Sequence, residues 1–81
     1  MKHRYENGLV TPQALAARKS IAGQLKDARI QLNMTQQTLA ERAGTKKSNI
    51  SRMESGKYNP SLDFLVKVAD CMGKNLDIHI D

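Results

Sequence analysis

Between Thr35 and Gly56 the chain reads TQQTLAERAGTKKSNISRMESG, and the spacing of three residues there leaves few folds open. Thr35 offers a capping hydroxyl, and Leu39, Ala40 and Ala43 lie on one helical face. Gly44 ends that helix, because glycine takes a left-handed backbone conformation without steric cost. Thr45 is the expected cap of the next helix, which runs over about 46–55 and is stopped by Gly56. Two short helices that cross closely need a small residue at the crossing, and Ala40 supplies it. The turn needs a permissive backbone, supplied by Gly44 four residues later. The second helix needs an apolar pin, supplied by Ile50 six residues further on and backed by Met53.

The rest of the chain fits around this pair. Residues 1–10 carry no periodicity and read as a flexible arm. Thr11 followed by Pro12 is a helix start. From there to Leu32, the residues Leu15, Ala22, Leu25, Ala28 and Leu32 recur at helical spacing. Gly23 weakens the run and Ser20 is able to cap a second helix, so 12–32 is either one helix or two, ended by Asn33. After the loop KYNP, Ser61 caps a further helix with Asp63 in its first turn. Leu62, Phe64, Leu65, Val66, Val68, Ala69 and Met72 make that helix apolar nearly all round, the expected spine of the core, and Gly73 stops it. In the tail LDIHID, residues Leu76, Ile78 and Ile80 alternate with Asp77, His79 and Asp81, which is strand spacing. A lone strand leaves its backbone groups unpaired. The tail either frays or pairs with the same strand of a second copy. Pairing is expected, so 74–81 is a candidate dimerisation strand beyond a domain at 11–73.

With Ile50 and Met53 turned inward, the outer face of the helix at 46–55 holds Lys47, Ser48, Asn49, Ser51 and Arg52. Two helices joined by a glycine turn, the second polar outward, form a helix-turn-helix. A helix in the DNA major groove needs such hydrogen-bonding groups to read base edges. An ordinary solvated face is also polar, but it usually includes glutamates, and none occurs between Gly44 and Met53. A carboxylate there would repel phosphate. The expected phosphate contacts flank this face: Thr35 and Gln36 at a helix start, Lys46 before the second helix, and Lys57, Tyr58 and Asn59 after it. The net charge of +5 favours a polyanionic partner.

Other functions find little support. No nucleophile–base pair, metal-ligand spacing or phosphate-cradling glycine loop occurs, so neither an enzyme nor a cofactor or metal is expected. His3 and His79 read as surface residues, and the one cysteine, Cys71, as a small buried apolar residue in a reducing compartment. No apolar run is long enough for a membrane span, and the polar start MKHRYENGLV lacks the apolar core of a signal peptide. A cytoplasmic location is expected.

Residues 29–73, RIQLNMTQQTLAERAGTKKSNISRMESGKYNPSLDFLVKVADCMG, resemble the Cro/C1-type (Xre) helix-turn-helix domain of phage and bacterial repressors. The resemblance implies an all-α, lambda-repressor-like bundle of four to five helices and a sequence-specific dimeric regulator, expected to be a repressor, on a palindromic DNA operator. In that family the glutamine that opens the second helix contacts phosphate, and Gln36 holds that place. The exposed places of the recognition helix fall on Lys47, Ser48, Asn49, Ser51 and Arg52. The family often pairs an arginine of the first helix with the glutamate that ends the recognition helix. Arg29 and Glu54 match, either as that pair or as two independent surface charges. The added N-terminal helical segment and terminal strand are similar to those of small antitoxins of the HipB and HigA types. That second resemblance implies, as the alternative, a toxin protein as main partner, with autorepression.

Overall fold

A computed structural model describes residues 10–81. The expected arm at 1–10, all but Val10, and His3 within it lie outside the described residues. Four helices follow one another: α1 (Pro12–Gln31), α2 (Gln36–Arg42), α3 (Lys47–Glu54) and α4 (Leu62–Cys71). Three begin at the hydroxyl caps that the sequence offers. Thr11 accepts from the Ala14 amide at 3.0 Å, Thr35 from Thr38 at 3.0 Å and Ser61 from Phe64 at 3.1 Å. Each satisfies one of the amides that a helix start leaves without an intrahelical partner.

α3 departs from that pattern. Its N-cap is Lys46, with no side-chain bond, and not Thr45. The Thr45 hydroxyl lies one residue too early and instead accepts from Asn49 Nδ2 at 2.8 Å.

The segment 12–31 is one helix. Gly23 costs about 1 kcal/mol in a helix interior, too little to break a run with good formers on both sides. Ser20 does not cap anything there; its hydroxyl accepts from Gln24 one turn on. Over its length of about 30 Å, α1 buries only Ala22 and Leu25. Leu15 is half-buried and Leu32 exposed, so the apolar pattern of α1 is only partly spent on the core.

The core lies where α1, α2, α3 and α4 converge. Leu39, Ile50, Met53 and Val68 are its fully buried large residues, joined by Leu25, Met34, Ala40, Leu65, Ala69 and Met72. α4 supplies one buried face rather than a spine apolar all round: Leu62 and Val66, one turn apart, face solvent. The reason is that the small helices of this bundle cover α4 from one side only. Cys71, expected to be buried, is a free thiol that packs against the cluster but is only partly buried.

The tail differs from its sequence reading within a single chain. Among the described residues there is no strand, and 74–81 has no regular structure. A strand needs a ladder partner, and one copy of this chain provides none. Leu76 packs against the core, whereas Ile78 and Ile80 are exposed. No helix among the described residues is long and apolar enough to cross a membrane.

Candidate nucleic-acid interface

The α2–α3 unit is built around its turn. Ala40 and Ala43 are buried, as a close crossing requires. Past the end of α2, the Gly44 amide donates to the Glu41 carbonyl at 3.2 Å and the Thr45 amide to the Ala40 carbonyl at 2.9 Å. This is the paired closure of a Schellman turn, whose C′ residue must be left-handed. Gly44 is that residue, with φ +65°. The turn aims α3 across α2, with Ile50 at 0% exposure and Met53 at 1% forming its anchored side.

A helix turns by about 100° per residue, so the residues opposite Ile50 and Met53 share one outer stripe. Lys47, Ser48, Ser51 and Arg52 occupy it, all exposed. Asn49 sits at its margin, half-buried, with one amide hydrogen given to Thr45. Its carbonyl oxygen and second hydrogen remain for another partner.

The flanking residues fall on two sides of this stripe. Thr35 and Lys46 are exposed, Thr35 at the start of α2 and Lys46 at the start of α3. Lys57, Tyr58 and Asn59 are exposed in the loop after α3. Gln36 is set apart from them. It is half-buried and its amide nitrogen donates to Glu54 Oε1 at 3.0 Å, so this side chain is tied into the fold.

Glu54 is the only acid of α3, and it is neutralised. Arg29 of α1 grips it through Nε to Oε2 at 2.7 Å and Nη2 to Oε1 at 3.1 Å. The remaining guanidinium nitrogen donates to the Met34 carbonyl at 2.6 Å. The two side chains are 11% and 3% exposed, so this is a largely buried ion pair rather than two surface charges. No buried side-chain nitrogen or oxygen among the described residues is left without a partner. The outer surface of α3 therefore carries cations and hydroxyls with no exposed carboxylate of its own.

Two contacts here have no signal in the sequence. The Arg52 guanidinium lies over the Tyr58 ring, 5.5 Å from its centroid, within cation–π range. Arg18 of α1 donates to the Lys57 carbonyl at 3.1 Å. Partners 39 residues apart leave no periodic trace. Among the described residues, no cluster of three or more His, Cys, Asp or Glu is placed to hold a metal ion.

A helix-turn-helix family model, HTH_3, matches residues 25–79. An uncharacterized HTH-type transcriptional regulator of Archaeoglobus fulgidus is 47% identical over 45 residues, which make up 56% of this chain and 63% of that protein. The chain thus spans less than two thirds of that relative. Among solved structures, a protein of a toxin–antitoxin module from Streptococcus pneumoniae superposes with a TM-score of 0.67 at 28% identity, over 99% of this chain and 94% of that one. An HTH_3 family transcriptional regulator from Vibrio cholerae shares the fold, with a TM-score of 0.71 at 24% identity, over 75% of this chain and 34% of its own.

Proposed function

We infer from its family, the HTH_3 helix-turn-helix family to which this chain belongs by the match over residues 25–79, that it is a DNA-binding transcriptional regulator. The observation that carries the reading is the face of α3. Its apolar side is fully buried, its one acid is paired inward, and Lys47, Ser48, Ser51 and Arg52 project together. In this reading the projecting residues and Asn49 read base edges in a major groove, with Arg52 suited to guanine O6 and N7. Lys46, Lys57, Tyr58, Asn59 and Thr35 contact phosphate and set the register. Gln36 faces phosphate only through what its bond to Glu54 leaves free. No catalytic role is part of the reading.

The regulator acts as a two-fold dimer on a palindromic operator, with half-sites about 34 Å apart. The exposed Ile78 and Ile80, alternating with polar residues in a segment without ladder partners, support pairing of the tail between copies. Repression follows from occupancy of an operator that overlaps a promoter. The likeness to the streptococcal toxin–antitoxin protein is compatible with a toxin partner but does not favour one.

Selection of bound duplexes from a random DNA pool tests the reading. A consensus with two-fold symmetry is expected, and recovery of no preferred sequence overturns sequence-specific binding. Sedimentation of the full chain beside a form lacking residues 77–81 tests the dimer: the full chain should sediment as a dimer and the shortened form as a monomer. Identical sedimentation of the two forms removes the tail from the interface.

A further inference from the structure

We propose that Arg18, outside the helix-turn-helix, is a positioning residue for Arg52: it fixes the loop whose Tyr58 ring holds the Arg52 guanidinium ready for base contact. The proposal rests on the DNA-binding reading for its consequence, while its geometry stands without it.

The N-terminal half of α1 contributes little to the core, yet it meets the loop after α3 at two adjacent points. Gly56 is buried and left-handed, with φ +76°. A Cβ built there would lie 3.2 Å from the Lys19 backbone Cα, so α1 and the loop are in close apposition. One residue along each chain, Arg18 Nη1 donates to the Lys57 carbonyl.

The loop leaves α3 in a way that makes this bond matter. After α2, the second residue past the cap closes onto the helix through its amide. After α3 that bond is replaced by a side chain. The Ser55 hydroxyl donates to the Arg52 carbonyl at 2.6 Å and accepts from the Lys57 amide at 3.2 Å. Lys57 is thus held at its amide by Ser55 and at its carbonyl by Arg18.

The Lys57 carbonyl and the Tyr58 amide belong to one planar peptide unit. Fixing the carbonyl direction therefore fixes the Tyr58 N and Cα positions, from which the ring projects through the residue's own φ and χ1. That ring lies under the Arg52 guanidinium. A guanidinium held over a ring is restricted in position and loses less freedom when it pairs with a base. The chain of contacts runs Arg18, Lys57 backbone, Tyr58 ring, Arg52 fork.

The test needs no DNA for its first half. With the Arg52 guanidinium over the Tyr58 ring, the Arg52 side-chain methylene resonances should be displaced upfield by the ring current. Arg18→Met keeps the helix and the aliphatic stem but removes the donor. It should return those resonances more than halfway to their unstacked values, and Arg18→Lys, which keeps a donor, should restore the displacement. Lys26→Ala removes an equal charge from α1 without touching the loop and should change nothing. In titrations, Arg18→Met should reduce the preference for the selected duplex over a shuffled one by roughly three- to tenfold, the effect of one hydrogen bond. It should have no further effect on preference in the Arg52→Ala background.

Unchanged Arg52 resonances in Arg18→Met overturn the proposal, as does an equal response to Lys26→Ala. Should Arg18→Met melt below the measuring temperature, Arg18→Ala is read by the same two criteria. If the wild-type chain prefers no duplex, DNA reading fails, and the resonances alone judge whether Arg18 positions Arg52.

Discussion

The two flanks of α3 treat charge in opposite ways. Toward α1 and α2, Glu54 is nearly inaccessible and receives three hydrogen bonds from Arg29 and Gln36. Toward the loop, Arg52 is exposed and lies over the Tyr58 ring, with no ion pair among the described residues. Fewer than three residues separate them, so sequence position does not decide the difference. Solvent does. A buried carboxylate must be paired because its desolvation is otherwise uncompensated. An exposed guanidinium keeps its hydration and can exchange it for a ligand. One flank is committed to the fold, and the other is available to a partner.

The sharpest way to break this contrast is to remove one member of the committed pair. Arg29→Ala leaves Glu54 buried without its cation and should cost about 3–5 kcal/mol of stability, as should Glu54→Ala with the roles exchanged. Chemical denaturation measures it. By contrast, Arg52→Ala should stay within about 0.5 kcal/mol of the wild type in the same experiment. Equal losses at the two sites would mean that burial is not what separates the flanks.

The available flank is tested by specificity. Arg52→Ala should reduce discrimination between the selected duplex and one altered at the contacted guanine by about 1–3 kcal/mol. Competition titrations read it directly. If affinity and preference both survive, α3 is not the reading helix.

The two turns that frame α3 sharpen the comparison further. Gly44→Ala meets no backbone atom, only the flexible end of Lys67 at 3.9 Å, so its cost is that of a left-handed alanine, about 1–2 kcal/mol. Gly56→Ala adds to that a tight contact with Lys19, 3.1 Å from its Cγ and 3.2 Å from its Cα. Thermal melting should show the larger loss at Gly56. The reverse order would show that α1 yields easily and does not press on the loop.

What was legible in the sequence tracks how local each constraint is. The hydroxyl caps at Thr11, Thr35 and Ser61 act within three residues, and the structure has all of them. Ala40, Gly44 and Ile50 constrain one turn and one crossing, and the α2–α3 unit follows from them. The cap of α3 falls on Lys46, one residue past the expected Thr45, because the two positions differ only in where the backbone turns. α4 is covered on fewer sides than its apolar pattern suggests, since apolar spacing cannot say from how many sides a helix is covered. Arg29 with Glu54 was suggested by the family resemblance rather than by any spacing. Arg18 with Lys57 had no signal at all, because a side chain meets a backbone carbonyl whose residue type is irrelevant. The tail carries a strand pattern, but a strand is a property of two segments, and one chain holds only one of them.

The smallest expected effect separates side chain from backbone at a single residue. Lys57 offers its ammonium to solvent, where the DNA-binding reading puts phosphate, and its carbonyl to Arg18. Lys57→Ala removes the first and keeps the second, so the loop path and the Tyr58 ring should stay in place. Affinity should then fall by the same factor for every duplex, and the slope of log K against log salt should become shallower by about 0.9, the release of one phosphate's counterion. The ratio between selected and shuffled duplexes should not move. A fall in that ratio would place the Lys57 side chain, and not only its carbonyl, among the groups that shape the loop beneath Arg52.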